Sequence, residues 1–176
     1  MKYLLASLIV LISLTAIPLA HADTKVYFSP NGDCQQAVVG ELKKAHQTID
    51  IAMYSFTSRE IAQALLDAKE HHVKIRITLD PGQIKDRYSK CRFLIKKGFD
   101  VKFHMGQGLM HDKFAVIDDH TVITGSFNWT VTADKKNSEN LLIIKDRQLA
   151  QKYSKEFKTL WEHSGEAQLK ELKTAE

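Results

Sequence analysis

Val73-Lys74-Ile75-Arg76-Ile77-Thr78-Leu79 alternates apolar and polar residues without a break, the period-2 pattern of a strand with one buried face. Immediately upstream, Thr57-Ser58-Arg59-Glu60 is a capping-box sequence, and Ile61, Ala64, Leu65 and Ala68 follow at helical spacing. Thr48 to Phe56, before that helix, again reads as a strand, with Ile49, Ile51 and Met53 on one face. Further upstream, Lys25 to Ser29 is a short strand stopped by Pro30-Asn31-Gly32. Asp33 is placed to cap a helix over Cys34 to Gln47 with Val38, Leu42 and Ala45 on its stripe. This β-α-β-α-β run predicts an α/β fold, an α-β-α sandwich around a central mixed, largely parallel sheet.

Downstream, Asp80-Pro81-Gly82 opens a polar loop, and a helix from about Tyr88 to Lys97 ends at Gly98, a natural residue for a helix C-terminus. Phe99 to His104 is a strand, and Gly106-Gln107-Gly108 a flexible loop. Phe114 to Ile117 and Thr121 to Thr124 read as a hairpin turning at Asp119-His120. Asp134-Lys135-Lys136-Asn137 reads as a charged loop, followed by a strand over Glu139 to Lys145. Asp146 is placed to cap a last helix with Leu149, Tyr153, Phe157, Leu160 and Trp161 on its stripe. Residues 165–176 are polar and are expected to fray.

The chemistry gathers in His111-Asp112-Lys113-Phe114-Ala115-Val116-Ile117-Asp118, with Gly125-Ser126-Phe127-Asn128 close behind. Positions two apart on extended backbone face the same way, so His111 presents beside Lys113, and Ser126 beside Asn128. An imidazole can attack phosphorus or trade protons, while an ammonium neutralises a phosphoryl oxygen. A hydroxyl and an amide are hydrogen-bonding partners for further phosphate oxygens. Asp118 lies seven positions from His111 and points the other way, which assigns it a structural role. A carboxylate is also wanted behind the histidine, and Glu139, just ahead of an apolar strand, is the best candidate.

His-x-Lys-x4-Asp followed by Gly-Ser-x-Asn resembles the phospholipase D superfamily, whose members cleave phosphodiesters through a phosphohistidine. Ile49-Asp50-Ile51-Ala52-Met53-Tyr54-Ser55-Phe56 is similar to that family's early strand, and the order of elements up to Trp161 is similar to one family domain. A short chain with a single motif resembles the family's small bacterial endonucleases. The resemblance implies a hydrolase with His111, Lys113 and Glu139 in catalysis, and with Lys113, Ser126 and Asn128 on the phosphate. It requires no cofactor. Two proton-handling histidines are needed and the motif occurs once, which implies a homodimer with one shared site.

Nucleic acid is the expected substrate, by the resemblance and because Lys85, Arg87, Lys90, Arg92, Lys135 and Lys136 can follow a phosphate backbone. No base-reading module is evident, so cleavage should be largely nonspecific in sequence. Lipid phosphodiester cleavage is the runner-up, and an exported polyanion-binding protein without turnover a third reading. A metal site built from His104, His111, Asp112, Asp118, Asp119 and His120 is disfavoured by ligand spacing and by the ammonium of Lys113, so no metal is assigned.

The first 22 residues read as a signal peptide: Lys2, an apolar run from Leu4 to Leu19, and Ala20-His21-Ala22 as a small-x-small cleavage site. Residues 23–176 then form a single domain in the periplasm or medium, with no stable membrane association. The whole chain carries 25 basic and 21 acidic residues, a formal charge of +4, which permits a polyanionic ligand without demanding one. Cys34 and Cys91 are either one disulfide or two separate buried thiols.

Overall fold

The computed structural model describes residues 23–166. The expected signal peptide, and the tail from residue 167, lie outside them. The elements run β1 (Asp23–Ser29), α1 (Cys34–Leu42), β2 (Thr48–Met53), α2 (Arg59–Glu70), β3 (Lys74–Leu79), a 3-10 turn (Pro81–Ile84), α3 (Cys91–Lys96), β4 (Asp100–His104) and β5 (Lys113–Ile117). They close with β6 (Thr121–Gly125), α4 (Val131–Lys135), β7 (Glu139–Lys145), α5 (Arg147–Glu162) and β8 (Ser164–Gly165).

The strands form one eight-stranded sheet in the order β1-β7-β6-β5-β2-β3-β4-β8. It is mixed, as expected, but it is not largely parallel. The α2 and α3 crossovers make β2-β3 and β3-β4 parallel, while the other five neighbouring pairs run antiparallel. The reason is connection length: the β5-β6 turn spans only Asp118 to His120, too short for a crossover. The chain's first strand closes on β7, with Asp23 opposite Lys145 and Ser29 opposite Glu139.

Parity along the strands divides the core. Ile49, Ile51, Met53, Ile75, Ile77 and Leu79 pack beneath α1, α2 and α3, with Val38, Leu42, Ile61, Leu65 and Leu94. Ala52, Phe114, Val116 and Val122 point to the opposite face, which α5 covers with Ala150 and Phe157. The layers are therefore α-β-α but unequal. Arg76 and Asp50 lie on the α5 side as a two-point pair at 2.8 and 2.6 Å. The guanidinium sits 5.0 Å from the Phe157 ring centre, so a charged pair is sealed by its own hydrogen bonds and an aromatic lid.

Several expected ends move. The first helix stops at Leu42 rather than Gln47; Asp33 holds the N-cap position, but its backbone is left-handed and its side chain makes no capping bond. Residues 46–48 instead turn their amides toward Asp118. Ser58 caps α2, accepting from the Ile61 amide at 3.3 Å. Glu60 does not complete the capping box and accepts from Gln36 at 2.8 Å. The charged stretch after Thr130 contains the short α4, capped by Thr130 on the Ala133 amide. Gly98 ends the third helix region with φ +71°, and Asp146 caps α5 on the Gln148 and Leu149 amides, both as expected. Cys34 and Cys91 are free and buried. Burial and the nearby Asp134 push the Cys34 thiol up, which keeps it protonated.

Candidate active site

One end of the sheet collects the chemistry. Here β2 ends, β5 begins, β6 ends and β7 begins. Met53 lies opposite Lys113, and Gly125 opposite Leu141. The Tyr54 amide donates to the carbonyl of Asp112 at 2.9 Å, which carries the pairing of β2 and β5 past the strand proper. His111 lies immediately before this bond, two residues ahead of β5.

His111 and Lys113 do lie side by side. The lysine Nζ is 3.1 Å from Nδ1 of His111 and 3.5 Å from Nε2, and it donates to the His111 carbonyl at 2.6 Å. The imidazole is exposed and Lys113 half-buried. Burial pushes the Lys113 ammonium below the usual lysine range, and the carboxylates of Asp112 and Glu139 pull partly against it. Tyr54 completes this wall: its ring centre is 4.4 Å from that of His111, and the Lys113 ammonium lies 5.0 Å from it. Sequence reasoning placed Tyr54 in the early strand but gave it no part in the site, because a single strand tyrosine carries no chemical signal of its own.

The second wall is built on a backbone approach only glycine permits. Gly125 has φ +139°, and a Cβ there would lie 2.3 Å from the Asn140 carbonyl oxygen. That closeness lets the amides of Ser126 and Phe127 both donate to the same oxygen, at 3.1 and 3.2 Å. Ser126 Oγ accepts from the Asn140 amide at 3.1 Å and donates to Glu139 Oε2 at 2.5 Å. Asn137 Nδ2 donates to the other Glu139 oxygen at 3.0 Å. The expected pairing of Glu139 with His111 is not made within one chain; the partners of its carboxylate are instead Ser126 and Asn137. The half-buried Asn128 presents an Oδ1 that is sequestered from solvent and accepts no hydrogen bond among the described residues. Its neighbour Trp129 anchors the turn, donating its amide to the Ser55 carbonyl and packing edge-on against Phe56 at 5.3 Å.

Asp118 lies at the far end of β5. Its carboxylate accepts from the backbone amides of His46, Gln47 and Thr48 at 2.9, 2.8 and 2.8 Å. Burial alone would raise its pKa, but the Thr48, His46 and Gln47 amides outweigh burial and hold it below the usual carboxylate range. Of the cationic residues expected to follow a phosphate backbone, Arg92 is engaged with the Ile84 and Asp86 carbonyls, and Lys135 pairs with Asp134 at 2.9 Å. Lys85, Arg87 and Lys136 are exposed. Among the described residues no three His, Cys, Asp or Glu side chains gather as a metal site.

Residues 38–161 match the family model described as cardiolipin synthase, PLD-like domain. The chain belongs to the phospholipase D-like family. Among curated phospholipase D-like proteins it is 38% identical over 135 residues to phospholipase D of Rickettsia prowazekii, covering 77% of this chain. It spans 66% of that protein's length. Two solved structures superpose closely. One is the phospholipase D family member Nuc from Salmonella typhimurium, with TM-score 0.79, 29% identity, and coverage of 84% of this chain and 99% of that one. The other is NucT from Helicobacter pylori, with TM-score 0.78, 26% identity, and coverage of 82% and 98%. The chain thus has a phospholipase D-family phosphodiesterase fold with a single motif.

Proposed function

We propose that this chain is an exported endonuclease that hydrolyses nucleic-acid phosphodiesters, largely without sequence preference, through a phosphohistidine at His111. The observation that carries the reading is the His111–Lys113 pair at 3.1 Å, at the same end of the sheet as Ser126 and Asn128. An unprotonated ring nitrogen of His111 attacks phosphorus and forms a P–N bond while the bond to the leaving oxygen breaks. Lys113 neutralises a non-bridging oxygen as charge develops, the Asn128 amide donates to another, and the Ser126 hydroxyl joins them by exchanging its bond to Glu139 for one to the phosphate. A second imidazole protonates the leaving oxygen and then takes a proton from the water that hydrolyses the P–N bond. Because the motif occurs once in the sequence, that imidazole is assigned to His111 of a second copy. Glu139 holds the Ser126 hydroxyl in place and adds negative charge beside Lys113. The ammonium repels a divalent ion from the same pocket, which favours a mechanism without metal.

Nucleic acid is preferred because exposed Lys85, Arg87 and Lys136 can contact a phosphate chain, and because single-motif chains of this size resemble the family's nucleases. Lipid cleavage is the second reading, favoured by the name of the rickettsial relative. Purified protein incubated with plasmid DNA and with phosphatidylcholine vesicles, beside His111→Ala, separates them. Nicking and fragmentation of the plasmid, abolished in the variant, is the expected result. Lipid-only cleavage supports the runner-up, and cleavage of neither supports a binding protein. DNA cleavage is also expected to persist in EDTA; complete loss, restored by a divalent ion, overturns the phosphohistidine step.

A further inference from the structure

Resting on the assignment of His111 as nucleophile, we propose that Asp80 is the positioning residue that sets the His111 imidazole. Asp80 directly follows β3 and caps the 3-10 turn, lies outside both sequence motifs, and is only 5% exposed. One carboxylate oxygen accepts from the Gly82 amide at 2.8 Å. The other reaches across the sheet end to the Met110 amide at 3.1 Å. Met110 is the residue immediately before His111 and is itself 2% exposed.

The need for such a clamp follows from the chain around it. The Met105 amide still donates to the His163 carbonyl at 3.1 Å, but residues 106–109 form an exposed loop outside any strand, with Gly106 and Gly108, so the backbone arrives at His111 with little of its own order. Two bonds then flank the imidazole-bearing residue: the Met110 amide to Asp80 before it, and the Asp112 carbonyl to the Tyr54 amide after it. The second is part of a strand ladder. The first depends on one side chain, and being charge-assisted in a buried place it is the stronger kind of bond. Asp80 is in turn fixed from beneath. Proline at 81 and the 3-10 turn start directly after it, and a Cβ on Gly82 would fall 2.9 Å from the carboxylate. Rigid β3 thus hands its position to Met110, and Met110 to the ring. Small displacements of a nucleophile are costly even when every reacting group is present.

The test uses Asp80→Asn, which keeps the shape but offers one acceptor oxygen, and Gly82→Ala, which keeps the charge but crowds the carboxylate. For Asp80→Asn we expect kcat on DNA to fall roughly tenfold to a hundredfold, with KM within about twofold. Gly82→Ala should move kcat in the same direction. Hydrogen exchange at the Met110 amide should accelerate in both, while the β2 and β3 core amides of Ile51 and Ile77 stay protected. The NMR contact between the Tyr54 and His111 rings should weaken. The ring contact and the Met110 exchange are read without turnover, so a wild-type protein inactive on DNA refutes the nuclease reading and still decides the clamp. Unchanged Met110 exchange, acceleration spread evenly over the sheet, or a full kcat with Met110 freed overturns the proposal.

Discussion

Lys113 opens β5, Asp118 directly follows that strand, and the two answer to opposite physics. Asp118 is a carboxylate whose charge is wanted by three backbone amides, so its folded pKa lies below the ordinary value of 3.8. Its stabilising contribution is present above 3.8 and is lost as pH falls through the lower folded value. Asp118→Asn should cost about 1–3 kcal/mol at pH 7 in urea unfolding, and the gap to wild type should narrow below pH 3.8. Lys113 is a cation that burial disfavours, with a folded pKa below 10.5. The folded protein therefore gives up that proton more readily, and a catalytic role for the ammonium predicts an alkaline fall in kcat/KM centred below 10.5. An alkaline limb at or above 10.5, or none, removes Lys113 as the titrating group.

Among the elements, the junction of β6 and β7 does the most for the site with the least side-chain mass. Gly125→Ala forces a Cβ against the Asn140 carbonyl at a left-handed backbone angle. It should cost roughly 1–3 kcal/mol and push Ser126 off the wall, read as a raised KM and a lower unfolding midpoint. Retention of both wild-type values would show that the close approach is dispensable. The same junction marks how far sequence carries. Alternation in Val73 to Leu79, the α5 stripe and its Asp146 cap were legible because each is written within a few residues. So was the side-by-side placement of His111 and Lys113, which rests only on strand parity. The partners of Glu139, the ring of Tyr54 and the reach of Asp80 to Met110 were not legible. The Asn137–Glu139 bond depends on the local course of the backbone, whereas Tyr54 beside His111, Asp80 on Met110 and Ser126 on Glu139 depend on segments distant in sequence meeting at one sheet end. The early end of α1 has the same origin, since Asp118 recruits the amides that a longer helix would have used.

At the scale of the molecule, the sheet carries α1 to α4 on one face and α5 alone on the other, with Val26 and Phe28 of β1 exposed at 51% and 63%. The shared-site proposal makes mass the deciding measurement: sedimentation at assay concentration should give twice the chain mass, and an active monomer ends that proposal. The pairing of β1 with β7 also sets an order in time. A strand made among the first residues has no partner until residues 139–145 exist, and β7 is also the strand on which Glu139 and the Ser126 wall are fixed. A nascent or truncated chain that already carries His111 and Lys113 still lacks the opposite wall. Closure of the fold and completion of the pocket are therefore one late event, which waits until almost the whole domain has been synthesised.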